Sequence, residues 1–132
     1  MADNTLRNNK IIISAGASGI GLATAKICLS KGAIVYICDI DHISLKKLNK
    51  NPLKNKRLFT YYCDASNEYE VSEFFKKIKK KTKKIDGLIN NVGIAGPTGT
   101  LEKLKSNNWE KTLQVNVNSH FYFTKQSIPL IK

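Results

Sequence analysis

The residues best placed to do chemistry begin at Ser14-Ala15-Gly16-Ala17-Ser18-Gly19-Ile20-Gly21. A glycine-rich turn between an apolar strand and a helix lets backbone approach a phosphate closely. The free N–H groups and the positive dipole end of the helix then attract its charge. Such a turn is weak evidence alone, because glycine serves any tight turn; a purely structural strand-to-helix turn is the plainer alternative. The second candidate is Asp39, 18 residues after Gly21. A carboxylate at the end of a second strand accepts hydrogen bonds from both hydroxyls of a ribose and repels a 2′-phosphate. An acid at a strand end is often only solvated. The joint pattern of strand, turn, helix, strand and acid points to a dinucleotide site.

Several elements must position these residues. Ile11-Ile12-Ile13 is a β-branched run suited to a strand buried on both faces. Leu22 to Ser30 reads as a helix with Ile20, Ala23, Ile27 and Cys28 on one face, stopped by Lys31-Gly32. Ala33 to Cys38 is a second strand ending at Asp39, and Leu45 and Leu48 mark a short helix. Asn49 to Lys56, with Pro52, reads as a loop, and Leu58 to Cys63 as a third strand. Val71, Phe74, Phe75 and Ile78 stripe a helix over Glu68 to Lys83. Asp86-Gly87 turns into a fourth strand, Leu88-Ile89-Asn90, and Gly93 to Gly99 is a loop. Ser106 is the expected N-cap of a last helix through Trp109, Leu113 and Val117 to about Phe123. The order β-α-β-α-β-α-β-α predicts an α/β fold: a Rossmann-type, doubly wound parallel sheet in a single domain spanning residues 1–132.

Further motifs give the pattern a family likeness. Ser14 to Gly21 with Asp39 resembles the start of a classical short-chain dehydrogenase/reductase, whose loop reads T-G-x-x-x-G-x-G. Cys63-Asp64-Ala65 resembles the acid after the third strand that holds the adenine ring in that family. Asp86-Gly87-Leu88-Ile89-Asn90-Asn91-Val92-Gly93 is similar to the family's D-x-L-V-N-N-A-G segment, the most diagnostic piece, whose second Asn lies beside the cofactor. Trp109 and Gln114-Val115-Asn116-Val117-Asn118 resemble the helix that bears the catalytic Asn, which falls on Asn116. The likeness runs from Lys10 to Lys132. It implies a strand order of 3-2-1-4 and a cofactor held by Ala15, Gly16, Ala17, Ser18, Gly19, Ile20, Gly21, Asp39, Asp64, Ala65, Asn91 and Gly93. It also implies hydride transfer between a nicotinamide and a small alcohol or carbonyl substrate, in a parent that is a homo-oligomer. Ser18 stands where NADP-preferring members often carry a basic residue, so with Asp39 it favours NAD. Three positions depart from the pattern. Ser14 replaces Thr and keeps a hydroxyl. Val92 replaces Ala. Ala15 occupies the first motif glycine, where a methyl either takes a negative φ or forces the turn to shift.

The resemblance also implies a Ser, and a Tyr acting as acid/base with its pKa lowered by a Lys four residues on, since a phenol near pKa 10 is otherwise a poor base at neutral pH. Four residues after Tyr36, Tyr61, Tyr62, Tyr69 and Tyr122 stand Ile40, Ala65, Ser66, Glu73 and Gln126, none of them Lys. Only Asn116 of the catalytic set has a counterpart, and a helix Asn also often bonds its own backbone. The chain therefore reads as the cofactor-binding half of such an enzyme, with a non-catalytic NAD-binding module or a decayed copy as the alternative.

Composition sets the remaining bounds. Among 22 basic residues only Arg7 and Arg57 are arginine, and the net charge is +12. Seven lysines fall between Lys76 and Lys84. A lysine run without arginine or interleaved aromatics reads as a solvated face, so no nucleic-acid partner is expected. No apolar run approaches the roughly 20 residues of a membrane span. The N-terminus is polar, so the cytoplasm is the expected location. Cys28, Cys38 and Cys63 have no metal-ligand spacing and read as buried free thiols. A sheet ending at the fourth strand exposes an apolar edge that pairs with other chains. The 132-residue chain alone is expected to unfold at low denaturant or to aggregate. Equilibrium unfolding with light scattering checks this, and a stable cooperative monomer contradicts it.

Overall fold

The computed structural model describes residues 3–50 and 56–132. Four strands form one parallel sheet: β1 (Lys10–Ser14), β2 (Ile34–Asp39), β3 (Leu58–Tyr62) and β4 (Gly87–Ile89), in the order β3-β2-β1-β4. This is the order expected. β1 pairs with β2 from Lys10↔Ile34 to Ser14↔Cys38, and with β4 from Ile11↔Gly87 to Ile13↔Ile89. β2 pairs with β3 from Val35↔Leu58 to Asp39↔Tyr62.

The strands are apolar on both faces because helices cover both. Ile11, Ile13, Val35 and Ile37 point to one core, shared with α1 (Gly19–Ser30) and α2 (His42–Lys50). Ile12, Tyr36 and Cys38 point to the other, shared with α3 (Glu68–Lys81) and the C-terminal helix. That second core is aromatic. Phe74, Phe75 and Phe123 meet one another at ring separations of 5.3 to 5.8 Å, within the favourable range for edge-on and tilted contacts.

Local chemistry sets the helix ends. Asp41 caps α2: its Oδ1 accepts from the N–H groups of Ile43 and Ser44, and its Oδ2 from the Ser44 hydroxyl. The Ser44 bond is the main reason its carboxyl titrates below the usual range. Asn67 caps α3 by accepting from the Glu70 N–H at 3.1 Å. α3 ends at Lys81, two residues earlier than its lysine run suggests, where Thr82 turns inward and becomes buried. All seven lysines from Lys76 to Lys84 are exposed.

The structure corrects several expectations about the helices. α1 starts at Gly19, and its buried face is Gly21, Ala25 and Cys28, while Ile20 and Ile27 are 79% and 57% exposed. Small residues, not the isoleucines, face the sheet, because the helix lies close to it. Ser106 is the first helical residue and not the cap; Lys105 occupies the cap position without a side-chain bond. The last helix is not continuous. α4 (Ser106–Leu113) passes through a π-helical turn (Gln114–Asn118) into α5 (Ser119–Ile131). Asn49 and Lys50 are helical; the remainder of the expected loop, with Pro52, lies outside the described residues apart from Lys56.

Phe75→Ala removes a fully buried ring at the centre of the aromatic core. It is expected to cost about 3–5 kcal/mol of stability, measured by urea unfolding.

Candidate functional site

The sheet order reverses at β1: β2 and β3 lie on one side and β4 on the other. In an open parallel sheet the loops leaving such a point diverge and open a crevice at the carboxyl ends of the strands. A cleft of about 600 Å³ lies there. Of the predicted residues it brings together Ala15, Ser18, Asp39, Asp64, Ala65, Asn91 and Gly93. Gly16, Ala17, Gly19, Ile20 and Gly21 do not line it, although they build the turn that forms one wall; nor does Asn116.

The turn is held by backbone bonds and by Asp39. The Gly16 N–H donates to the Cys38 carbonyl at 3.1 Å. The Ala17 N–H donates to Asp39 Oδ2 at 3.1 Å, and the Asp41 N–H to Asp39 Oδ1 at 3.0 Å. Asp39 is thus mostly buried, 8% exposed, and both carboxylate oxygens already carry a fold bond. Each oxygen retains a second acceptor site. Ser18 stands in extended backbone at the mouth of α1, and its side chain makes no cap bond. The N–H groups of the first helical turn have no intrahelical partner and point outward.

Two glycines are required for different reasons. At Gly21 a Cβ would lie 2.4 Å from the Ala15 carbonyl oxygen and 2.6 Å from Asn91 Nδ2, so only a glycine lets helix and turn approach. Gly19 has φ +54° and open space where a Cβ would be, a bare backbone at the start of the helix. Ala15 overturns the expectation of a negative φ or a shifted turn. It takes φ +53°, the left-handed conformation that a glycine would adopt there.

Asp64 and Ala65 follow β3. Asp64 Oδ1 accepts from the N–H and hydroxyl of Ser66, which fixes the turn that presents both residues to the cleft. Asn91 follows β4. Its N–H donates to Ser14 Oγ at 3.0 Å and its Nδ2 to the Ala15 carbonyl at 3.0 Å, so its side chain braces the glycine turn. Asn116 sits inside the π-helical turn. Its Oδ1 accepts from the Ile94 N–H at 2.7 Å and its Nδ2 donates to the Ile94 carbonyl at 2.8 Å. It bonds a distant loop, not its own helix, and fixes the segment after Gly93 against the cleft.

Sequence reasoning missed seven lining residues: Ile40, Cys63, Ser66, Val92, Ile94, Lys111 and Val115. All of these but Lys111 adjoin predicted residues in sequence and could have been found by proximity. Cys63 could have been found by alternation, since it lies two residues after Tyr61, the register partner of Cys38. Its thiol adjoins that of Cys38, and this neighbour, together with complete burial, pushes the Cys38 thiol well above its ordinary range. Lys111, one helical turn before Val115, carried no local signal.

An exposed helix N-terminus, a glycine with open space above it and two acids at successive strand ends suit a diphosphate beside a ribose and an adenine. The fold is a Rossmann-type α/β domain with its cleft at the switch point of the sheet. The pattern of the short chain dehydrogenase family matches residues 9–132, and the chain belongs to that family. A CLA biosynthesis dehydrogenase/reductase of Lactiplantibacillus plantarum is 31% identical over 126 residues, covering 95% of this chain and 44% of the relative. Pseudomonas aeruginosa RhlG in its complex with NADP superposes with a TM-score of 0.85 at 26% identity, covering 98% of this chain and 50% of that one. The 3-ketoacyl-(acyl-carrier-protein) reductase of Brucella melitensis complexed with NADH gives 0.85 at 25%, covering 95% and 50%. The chain spans about half the length of these relatives. No described helix is long and apolar enough to cross a membrane.

The contrast between the two glycines is measurable. Gly19→Ala meets only backbone strain and is expected to cost about 1–2 kcal/mol. Gly21→Ala must push backbone apart and is expected to cost about 3 kcal/mol. Urea unfolding of the two variants checks the order, and equal losses contradict it.

Proposed function

We propose that this chain is the cofactor-binding half of an NAD-dependent oxidoreductase that moves a hydride between a nicotinamide and a small alcohol or carbonyl substrate. The observation that carries the reading is the cleft at the strand ends, lined jointly by Ala15, Ser18, Asp39, Asp64, Ala65, Asn91 and Gly93. The backbone from Ala15 to Gly21 would hold the diphosphate, with Gly16, Ala17, Gly19 and Ile20 shaping the turn and the first helical turn supplying N–H donors. Asp39 would accept from the adenosine ribose through its free acceptor sites. Asp64 and Ala65 would border the adenine, and Asn91 and Gly93 the second ribose. When bound, the nicotinamide supplies the hydride or its acceptor.

The preference for NAD over NADP rests on Asp39 and Ser18. A 2′-phosphate at Asp39 would meet a mostly buried carboxylate, and Ser18 offers no cation to neutralise it. Asn116 would fix the loop beside the nicotinamide side of the cleft through Ile94. Proton transfer at the substrate needs a Tyr with a Lys four residues later, and no tyrosine of this chain has one. The chain is therefore proposed to bind cofactor without turnover by itself. Exposed Trp109, Leu113, Val117 and Phe121, at four-residue spacing along α4, the π-helical turn and α5, favour self-association of the intact protein. Three buried free thiols favour a reducing compartment such as the cytoplasm.

Fluorescence titration of the chain with NADH and NADPH tests the reading. NADH is expected to bind at least about ten-fold tighter, a difference of roughly 1.4 kcal/mol. Equal or tighter NADPH binding overturns the preference, and no binding of either overturns the site.

A further inference from the structure

Ala15 is one of two non-glycine residues with positive φ among the described residues; the other is Asn8. Asparagine visits that region readily, because its short polar side chain bonds locally. Alanine has no such means, and its Cβ crowds the following carbonyl. An alanine that stays left-handed is held there by its surroundings.

The surroundings are specific. The Ala15 carbonyl accepts from Asn91 Nδ2 at 3.0 Å. Asn91 is itself tied at its N–H to the hydroxyl of Ser14, which is fully buried at the end of β1. On the other side Gly21 packs so closely that a Cβ there would collide with both the Ala15 oxygen and the Asn91 amide. The carbonyl is thus wedged between an anchored donor and the first turn of α1. Rotating Ala15 to a negative φ would swing that carbonyl off the amide.

We propose that Asn91 is a positioning residue: its carboxamide, anchored through Ser14, holds the Ala15 carbonyl and so keeps an alanine in the left-handed conformation that shapes the turn beneath the cofactor diphosphate. The proposal rests on reading the cleft as a dinucleotide site. It makes residues 15 and 91 energetically coupled, because a glycine at 15 adopts the same backbone without being held. A merely structural Asn91 would have no such dependence on the residue at 15.

The test is a double-mutant cycle on the 132-residue chain, with Asn91→Ala, Ala15→Gly and the pair, read by NADH titration. Asn91→Ala is expected to weaken NADH about ten-fold in the alanine background and about three-fold or less in the glycine background. Equal or larger losses in the glycine background overturn the proposal, as does an Asn91→Ala chain that binds like the parent. Asn91→Asp, of equal size, sets a carboxylate against the carbonyl and is expected to follow the same pattern. Thermal unfolding of the same set gives an independent reading. Ala15→Gly should shrink the fall in Tm caused by Asn91→Ala, or restore folding if Asn91→Ala alone is unfolded. Unfolding in both backgrounds, or equal falls in Tm, counts against the latch. If the parent chain binds no NADH, the dinucleotide reading fails while the unfolding cycle still decides the coupling.

Discussion

The reversal of strand order around β1 is the constraint from which the site follows. β1 is flanked on both sides and covered on both faces, so its three isoleucines have nowhere to go but the core. The chain leaves its carboxyl end into a turn that must clear β2 on one side and β4 on the other. Ser14, the last residue of β1, is fully buried and bonded to the segment after β4. Turn, second strand and fourth strand are therefore located relative to one another by the interior, before any exposed side chain contributes.

The polar groups around the cleft serve the fold and the site at once. Asp39 closes the glycine turn, Asp64 closes the turn after β3, and Asn91 and Asn116 each grip a backbone segment contributed by a distant part of the chain. A buried or half-buried polar group needs a partner, and here the partners are backbone amides that shape the cleft. The walls are accordingly stiff where backbone is presented, and the side chains that could meet a ligand are aimed by bonds they already make.

The sheet was legible because its signals are local. Ile11-Ile12-Ile13 and the apolar run before Asp39 have no alternative to a doubly covered strand, and the glycine turn and Asp39 mark the end that opens on the cleft. The stripe Val71, Phe74, Phe75 and Ile78 gave α3 its buried face. The face of α1 was misread because Ile20 and Ile27 look like core residues, whereas close packing against the sheet selects Gly21 and Ala25. The π-helical turn could not be read at all. It accompanies the pairing of Asn116 with Ile94, across 22 residues, which no local pattern encodes. Lys111, on α4, and Val115, in the π-helical turn, reach the cleft for the same reason: the path of this segment depends on tertiary contacts. The left-handed Ala15 was misjudged because its place in the motif asks for a glycine's backbone while an alanine by itself disfavours a positive φ.

The double engagement of Asp39 bears on which positions around the cleft can change without disturbing the turn. Exchanging that carboxylate for a side chain without an acceptor would strip Ala17 and Asp41 of their partners and loosen the turn. The neighbouring positions carry no such burden. Ser18 makes no cap bond, and Ile40 is more than half exposed on the cleft rim. A change at residue 18 or 40 therefore leaves the turn's bonds in place, whereas a change at Asp39 removes two of them at once.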